Sequence, residues 1–174
     1  MTSLTKIYED RVKRGDLQRD SAQEAVLGLF DTVAKTLQKP VKKGLRGLFG
    51  KSVEPAKGLY LFGGVGRGKS MLMDLFYDHS EEPHKRRVHF HAFMQEIHAL
   101  MHEARQKGVE DAIEPVAAEV IKSARLLCFD EMQITDITDA MIVGRLFEKL
   151  FEAGVVIVTT SNRHPDDLYK DGLN

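Results

Sequence analysis

Residues 58–70 read GLYLFGGVGRGKS, and their reading decides the fold. A short apolar strand runs into a glycine-rich turn and then into the start of a helix. Gly63, Gly68, Lys69 and Ser70 fill the pattern G-x-x-x-x-G-K-[ST], in which backbone N–H groups wrap phosphate oxygens and the helix turns its positive end toward them. The cradle comprises Gly63, Gly64, Val65, Gly66, Arg67, Gly68, Lys69 and Ser70. Lys69 is expected to reach the β and γ oxygens of a nucleoside triphosphate, and Ser70 to ligate magnesium. ATP and Mg2+ are therefore the expected ligands, and a glycine-rich surface turn is the competing structural reading.

Composition fits a folded, soluble chain with one real core. There are 174 residues, 43% hydrophobic and 29% charged, with a formal net charge of −1. The charge balance excludes a global positive field for nucleic acid, so any such role would rest on a local patch. Cys128 is the single cysteine and sits inside an apolar run. No disulfide framework is possible, and a buried structural thiol in a reducing compartment is expected. No apolar stretch approaches a membrane span, and the amino terminus resembles neither a signal peptide nor a transit sequence, so the expected location is cytoplasmic.

Residues 4–14 suit a short helix. Ser21 with Glu24 three positions on reads as a capping box opening a second helix to about Gln38, with Ala22, Ala25, Val26, Leu29, Phe30, Val33 and Leu37 as its apolar face. Pro40 breaks this pattern. Lys39 to Lys57 then carries six basic residues against the single acid Glu54, interleaved with Leu45, Leu48 and Phe49. Two readings stand for this segment: a solvated connector, or a contact for anionic lipid, nucleic acid or an acidic partner. The organisation expected is thus residues 1–57 as helices plus basic connector, and 58–174 as the nucleotide-binding core.

Past the loop, a helix is expected from Lys69 to about Tyr77, a strand over Val88 to Phe93 and a helix from Met94 to Gln106. Ala117 to Ser123 reads as the end of another helix. Arg125 to Asp130 is expected as a continuously buried strand, Asp136 to Ala153 as a helix closed by Gly154, and Val155 to Thr160 as a last strand. Strand and helix alternate throughout, which implies an α/β fold with a parallel sheet covered on both faces.

The apolar run ending in Asp130-Glu131 delivers two carboxylates to the carboxyl edge of that sheet, where the phosphate loop also lies. Asp130 is expected to hold magnesium through water, and Glu131 to polarise the water that attacks the γ-phosphate. The competing reading is an exposed acidic turn. At the tip of the last strand, Asn162 could orient the attacking water and sense the γ-phosphate. Arg163 beside it reads either as a phosphate or neighbour-subunit contact or as an exposed turn residue. His98 and His102 stand one helical turn apart and His89 and His91 share a strand face in this reading, but no carboxylate or cysteine completes a ligand set at a recognisable spacing.

Four stretches, GLYLFGGVGRGKSMLMDLFY, VHFHAFMQEIHALMH, LLCFDEMQITDITDAMIVGRLFEKLF and GVVIVTTSNRHPDDLYKDGLN, closely resemble the AFG-one-like ATPase family. The resemblance covers nearly the whole chain and is tightest from Gly58 onward. It implies an AAA+ ATPase of the P-loop NTPase fold, a three-layer α/β/α arrangement with strand order 5-1-4-3-2, and puts Asn162 at the AAA+ sensor position. It also implies, in bacteria, a protein client in cell division, with the tubulin-like division ring protein as candidate, homo-oligomers and peripheral association with the inner membrane, and in mitochondria a role in protein turnover; the lack of a transit-like sequence favours the bacterial branch. Family members continue past Asp171-Gly172-Leu173-Asn174 into an arginine, a fifth strand and a helical lid, so on this resemblance the chain looks truncated at its carboxyl end. The alternative function is a nucleic-acid-handling ATPase resembling helicase loaders, with Lys42, Lys43 and Arg46 as its contact; the resemblance favours the protein client.

Overall fold

A computed structural model describes residues 3–39 and 58–168. The basic segment with Lys42, Lys43 and Arg46, the boundary drawn at residue 57, and the stretch 171–174 lie outside the described residues.

The element order is α1 (Leu4–Arg14), α2 (Ser21–Gln38), β1 (Leu59–Phe62), α3 (Lys69–His79), β2 (Lys85–His89), α4 (Phe90–Gln106), α5 (Ile113–Ser123), β3 (Leu126–Asp130), α6 (Ile137–Glu152) and β4 (Val156–Ser161), followed by a single 3-10 turn at Pro165–Asp167. The four strands form one sheet in the order β1-β4-β3-β2. Every pair is parallel, with Phe62 opposite Ser161 and His89 opposite Asp130 at the carboxyl ends. This is the expected α/β fold, and the strand order agrees with the 1-4-3-2 portion of the expected sequence.

Alternation along the two central strands builds two cores. Leu126, Cys128, Val156 and Val158 pack with α1, α2 and α3, while Leu127, Phe129, Val155 and Ile157 pack with α4, α5 and α6. Both strands are buried along their whole length, as expected for parallel strands covered on both faces. Phe129 anchors the second core, its ring 4.6 Å from that of Phe93 and stacked on Phe147 at 5.8 Å. Cys128 is fully buried, and burial pushes its thiol up to about 12. It is a packing residue.

The first core takes in α1 and α2 as full members: Tyr8 and Phe30 are wholly buried, and Phe30 packs against Phe76 of α3 with ring centroids 5.2 Å apart. The α2 stripe is Leu27, Phe30, Val33, Ala34 and Leu37. Leu29, expected inside, is half exposed. The capping box is also corrected, because Asp20 rather than Ser21 caps α2. Its carboxylate accepts from the Ala22 and Gln23 amides at 2.8 and 3.4 Å, and Glu24 pairs instead with Arg19. A carboxylate at that position satisfies free amides and favours the positive helix end at once.

The expected strand Val88–Phe93 is corrected as well. The strand is Lys85–His89, and the helix begins at Phe90. The alternation His-Phe-His masks a helical stripe, since Phe90, Phe93, Met94, Ile97 and Met101 are all buried on one face. His91 is consequently helical and shares no strand face with His89. The strand that does form is rich in cations, two of them paired with carboxylates: Arg86 with Glu96, and Arg87 with Asp74 and Asp130.

Candidate functional site

Three chain segments meet at the carboxyl edge of the sheet. They are the loop between β1 and α3, the end of β3 with Asp130 and Glu131, and the end of β4 with Thr160, Ser161 and Asn162. Together they line an open cleft of about 350 Å3, bordered by the loop, Lys69, Ser70, Glu131 and Asn162.

The loop owes its shape to glycine. Gly66 and Gly68 hold φ of 78° and 77°, a left-handed conformation that disfavours any residue with a Cβ. At Gly68, which caps α3, an added Cβ would lie 2.5 Å from the Gln23 side-chain nitrogen. At Gly64 and Gly66 it would meet nothing within 4 Å, so the loop backbone stands open and fits an anion approaching closely.

Lys69, on the first turn of α3, folds back over this loop. Its Nζ donates to the carbonyls of Gly63 and Gly64 at 2.7 and 2.8 Å and to Asn162 Oδ1 at 3.1 Å. Burial lowers the ammonium's pKa from its ordinary value. The amine thus already spans the cleft between the loop and β4, and two sequence-predicted residues 93 positions apart are in direct contact. Ser70 lines the same cleft on the exposed side of the turn.

Asp130 ends β3 and is nearly buried. Arg87, on the neighbouring strand β2, donates to it twice, Nε to Oδ2 at 2.7 Å and Nη2 to Oδ1 at 3.1 Å, and also pairs with Asp74 on α3. Hydrogen bonds to Asp130 are the main reason the guanidinium is held above its ordinary pKa. Asp130 and Ser70 supply oxygen donors of the kind a hard divalent cation takes, so the residues fit magnesium in donor type. Nothing in the sequence signalled Arg87; a cation on the strand adjacent to the carboxylate is the feature that could have.

Glu131 follows with φ of 56°, the single non-glycine residue at positive φ among the described residues. Such a conformation in a glutamate costs on the order of 1–3 kcal/mol and is held only where neighbours fix it. They do so here through β4: the Glu131 amide donates to Thr160 Oγ1 at 3.2 Å, the Met132 amide to the Thr160 carbonyl at 2.7 Å, and Ser161 Oγ to the Met132 carbonyl at 2.7 Å. The same Ser161 oxygen accepts from the Arg163 amide at 3.1 Å, and Tyr60 on β1 donates to the Arg163 carbonyl at 2.9 Å. The segment after β3 and the tip of β4 are therefore stapled together. Glu131 is exposed and lines the cleft, and so is Asn162. From sequence the strand is expected to end at Thr160, whereas it includes Ser161, and neither Thr160 nor Ser161 is given a role in the site.

The histidines have other partners. His98 bonds Asp139 at 2.7 Å and His102 bonds Gln106 at 2.9 Å. Among the described residues no group of three or more His, Cys, Asp or Glu side chains is gathered as a metal cage.

A family model for the AFG1-like ATPase matches residues 1–174. This chain belongs to the AFG1-like ATPase family. It is similar to the cell division protein ZapE of Escherichia coli K12, at 39% identity over 98% of this chain and 47% of that protein. It is also similar to lactation elevated protein 1 homolog B of Danio rerio, at 49% identity over 68% of this chain and 25% of that protein. The chain therefore spans less than half the length of these relatives. In fold it is similar to AMPPCP-bound DnaA from Aquifex aeolicus, with a TM-score of 0.56, 18% identity, and coverage of 88% of this chain and 43% of that one. That likeness is one of fold, the parallel sheet with its flanking helices. No helix among the described residues is long and apolar enough to cross a membrane.

Proposed function

We propose that the cleft binds ATP with magnesium and hydrolyses the γ-phosphate, and that the protein couples this turnover, as a homo-oligomer, to a protein complex associated with cell division. Membership of the AFG1-like ATPase family supports the reaction, and the name of the E. coli relative supports the setting. The observation that carries the chemical reading is the position of Lys69, whose ammonium bridges the glycine loop and Asn162 on the same cleft that Glu131 lines.

In this reading the loop amides of residues 64–70 receive the phosphate oxygens, and Lys69 exchanges its bonds to the Gly63 and Gly64 carbonyls for oxygens of the β- and γ-phosphates. The exchange replaces neutral acceptors with charged ones, which strengthens each bond. Ser70 and Asp130 would hold magnesium, which supplies positive charge to offset the phosphates. Glu131 accepts a proton from water as the water oxygen bonds to the γ-phosphorus. The bond from that phosphorus to the bridging oxygen breaks, and ADP leaves with the electron pair. Asn162, shared between Lys69 and the cleft, orients that water or the γ-phosphate.

The test separates binding from chemistry. Glu131→Gln keeps the shape of the side chain and removes the base, so nucleotide binding persists while hydrolysis falls by about 10²–10⁴-fold relative to the unsubstituted protein assayed alongside. Undiminished turnover in this variant would return Glu131 to the status of an exposed acidic turn.

A further inference from the structure

We infer that Gln23, on α2 and outside the glycine loop, is a positioning residue that sets the orientation of the Arg67–Gly68 peptide and thereby the nucleotide affinity of the loop. The inference rests on the nucleotide-binding reading above. It is carried by a chain of contacts from the first core to the cleft.

The Gln23 side-chain amide sits directly over Gly68. Its Nε2 lies 2.5 Å from where a Cβ at that position would be, with Cδ at 3.2 Å, and it donates to the Arg67 carbonyl at 3.3 Å. The other end of the amide is fixed too. Gln23 Oε1 accepts from the Tyr8 hydroxyl at 3.1 Å, closer than the hydroxyl's alternative acceptor, the Gln18 carbonyl at 3.4 Å, and the hydroxyl in turn accepts from the Asp20 amide at 3.1 Å. Tyr8 is wholly buried, and Asp20 caps the helix that carries Gln23. With its oxygen taken by Tyr8, Gln23 can present only N–H to the loop.

A planar trans peptide points its C=O and the following N–H in opposite directions. Holding the Arg67 carbonyl toward α2 therefore sends the Gly68 N–H away from α2. Gly68 itself offers little resistance to turning this peptide over, because glycine populates positive and negative φ about equally. The orientation must be selected from outside the loop, and Gln23 is the side chain in contact with that carbonyl. This gives α1 and α2 a role beyond packing: they brace the back of the loop while the cleft stays open at its front.

The experiment compares Gln23→Ala, Gln23→Leu and Tyr8→Phe with the unsubstituted protein, and uses Lys69→Ala as the control for the site. MgATP dissociation constants are measured by calorimetry, kcat by steady-state turnover, and melting temperature without nucleotide. Gln23→Leu keeps most of the bulk over Gly68 and cannot donate. Both Gln23 variants should weaken MgATP binding about three- to tenfold, the worth of one neutral hydrogen bond, with kcat and the nucleotide-free melting temperature unchanged. Tyr8→Phe should weaken binding less, and combining it with Gln23→Ala should add nothing to the Gln23→Ala effect, because the two act through one amide. An unchanged dissociation constant in Gln23→Leu would overturn the inference, as would a fall in melting temperature with binding intact. If Lys69→Ala also binds MgATP normally, the failure belongs to the site assignment and not to Gln23.

Discussion

Arg87 grips Asp130 across adjacent strands, with Nε and Nη2 each donating to a different carboxylate oxygen at 2.7 and 3.1 Å. The fork matches the carboxylate plane, and the pair lies where β2 and β3 both reach the carboxyl edge of the sheet. Asp130 is nearly buried, so this guanidinium compensates its charge.

Arg87→Ala should therefore destabilise the nucleotide-free fold by about 1–3 kcal/mol, the cost of leaving a buried acceptor unpartnered. Arg87→Lys should recover part of the loss, since a lysine restores charge but not the two-point geometry. Urea unfolding midpoints give the comparison; equal midpoints for all three proteins would show that water serves Asp130 as well as Arg87 does.

The Arg86–Glu96 pair gives a pH signature. Hydrogen bonding to Arg86 holds the Glu96 carboxyl below its ordinary value of 4.5, so the stabilisation is present above that value and is lost as pH falls through the lower folded-state one. Both side chains are about one-third exposed, which limits the contribution to under about 1 kcal/mol. Arg86→Ala should thus be slightly less stable at pH 7 and converge with the parent as pH falls below 4.5 and through the lower folded-state value. A stability gap that stays constant through the acid limb would contradict this.

Cys128 predicts behaviour at the alkaline end. Its folded-state value of about 12 lies above the ordinary 9.0, so the buried neutral thiol contributes stability below pH 9 that is lost as pH rises toward 12. The native protein should be inert to a thiol-specific reagent at pH 8 and react once unfolded. Rapid labelling of the native protein would mean that the strand opens far more readily than its burial suggests.

The fold was legible where chemistry left little choice. The glycines of 63–68, the unbroken apolar runs Leu126 to Phe129 and Val155 to Val158, and the alternation of strand with helix dictate a parallel sheet with a loop at its carboxyl edge. The β2–α4 boundary is obscured because Val88, Phe90 and Ala92 satisfy a short alternation, and the helical stripe shows only when Phe93, Ile97 and Met101 are counted from Phe90. The α2 cap was one residue off because Ser21 and Asp20 are both capable caps, and charge favoured Asp20. In the candidate site, Lys69, Ser70, Glu131 and Asn162 could be named from sequence and do line one cleft. Arg87 and Gln23 could not, since their partners Asp130 and Arg67 are 43 and 44 residues away and are brought near only by strand register and helix packing.

The most direct measurement is the thermal stabilisation of the protein by MgATP, with and without Lys69. The account predicts that ATP at a hundredfold over its dissociation constant adds about 2.7 kcal/mol of stability, read as a rise in melting temperature, and that Lys69→Ala, folded and equally stable without ligand, loses that rise. An equal rise in the alanine variant would contradict the claim that this glycine loop, with its lysine, is where the triphosphate binds.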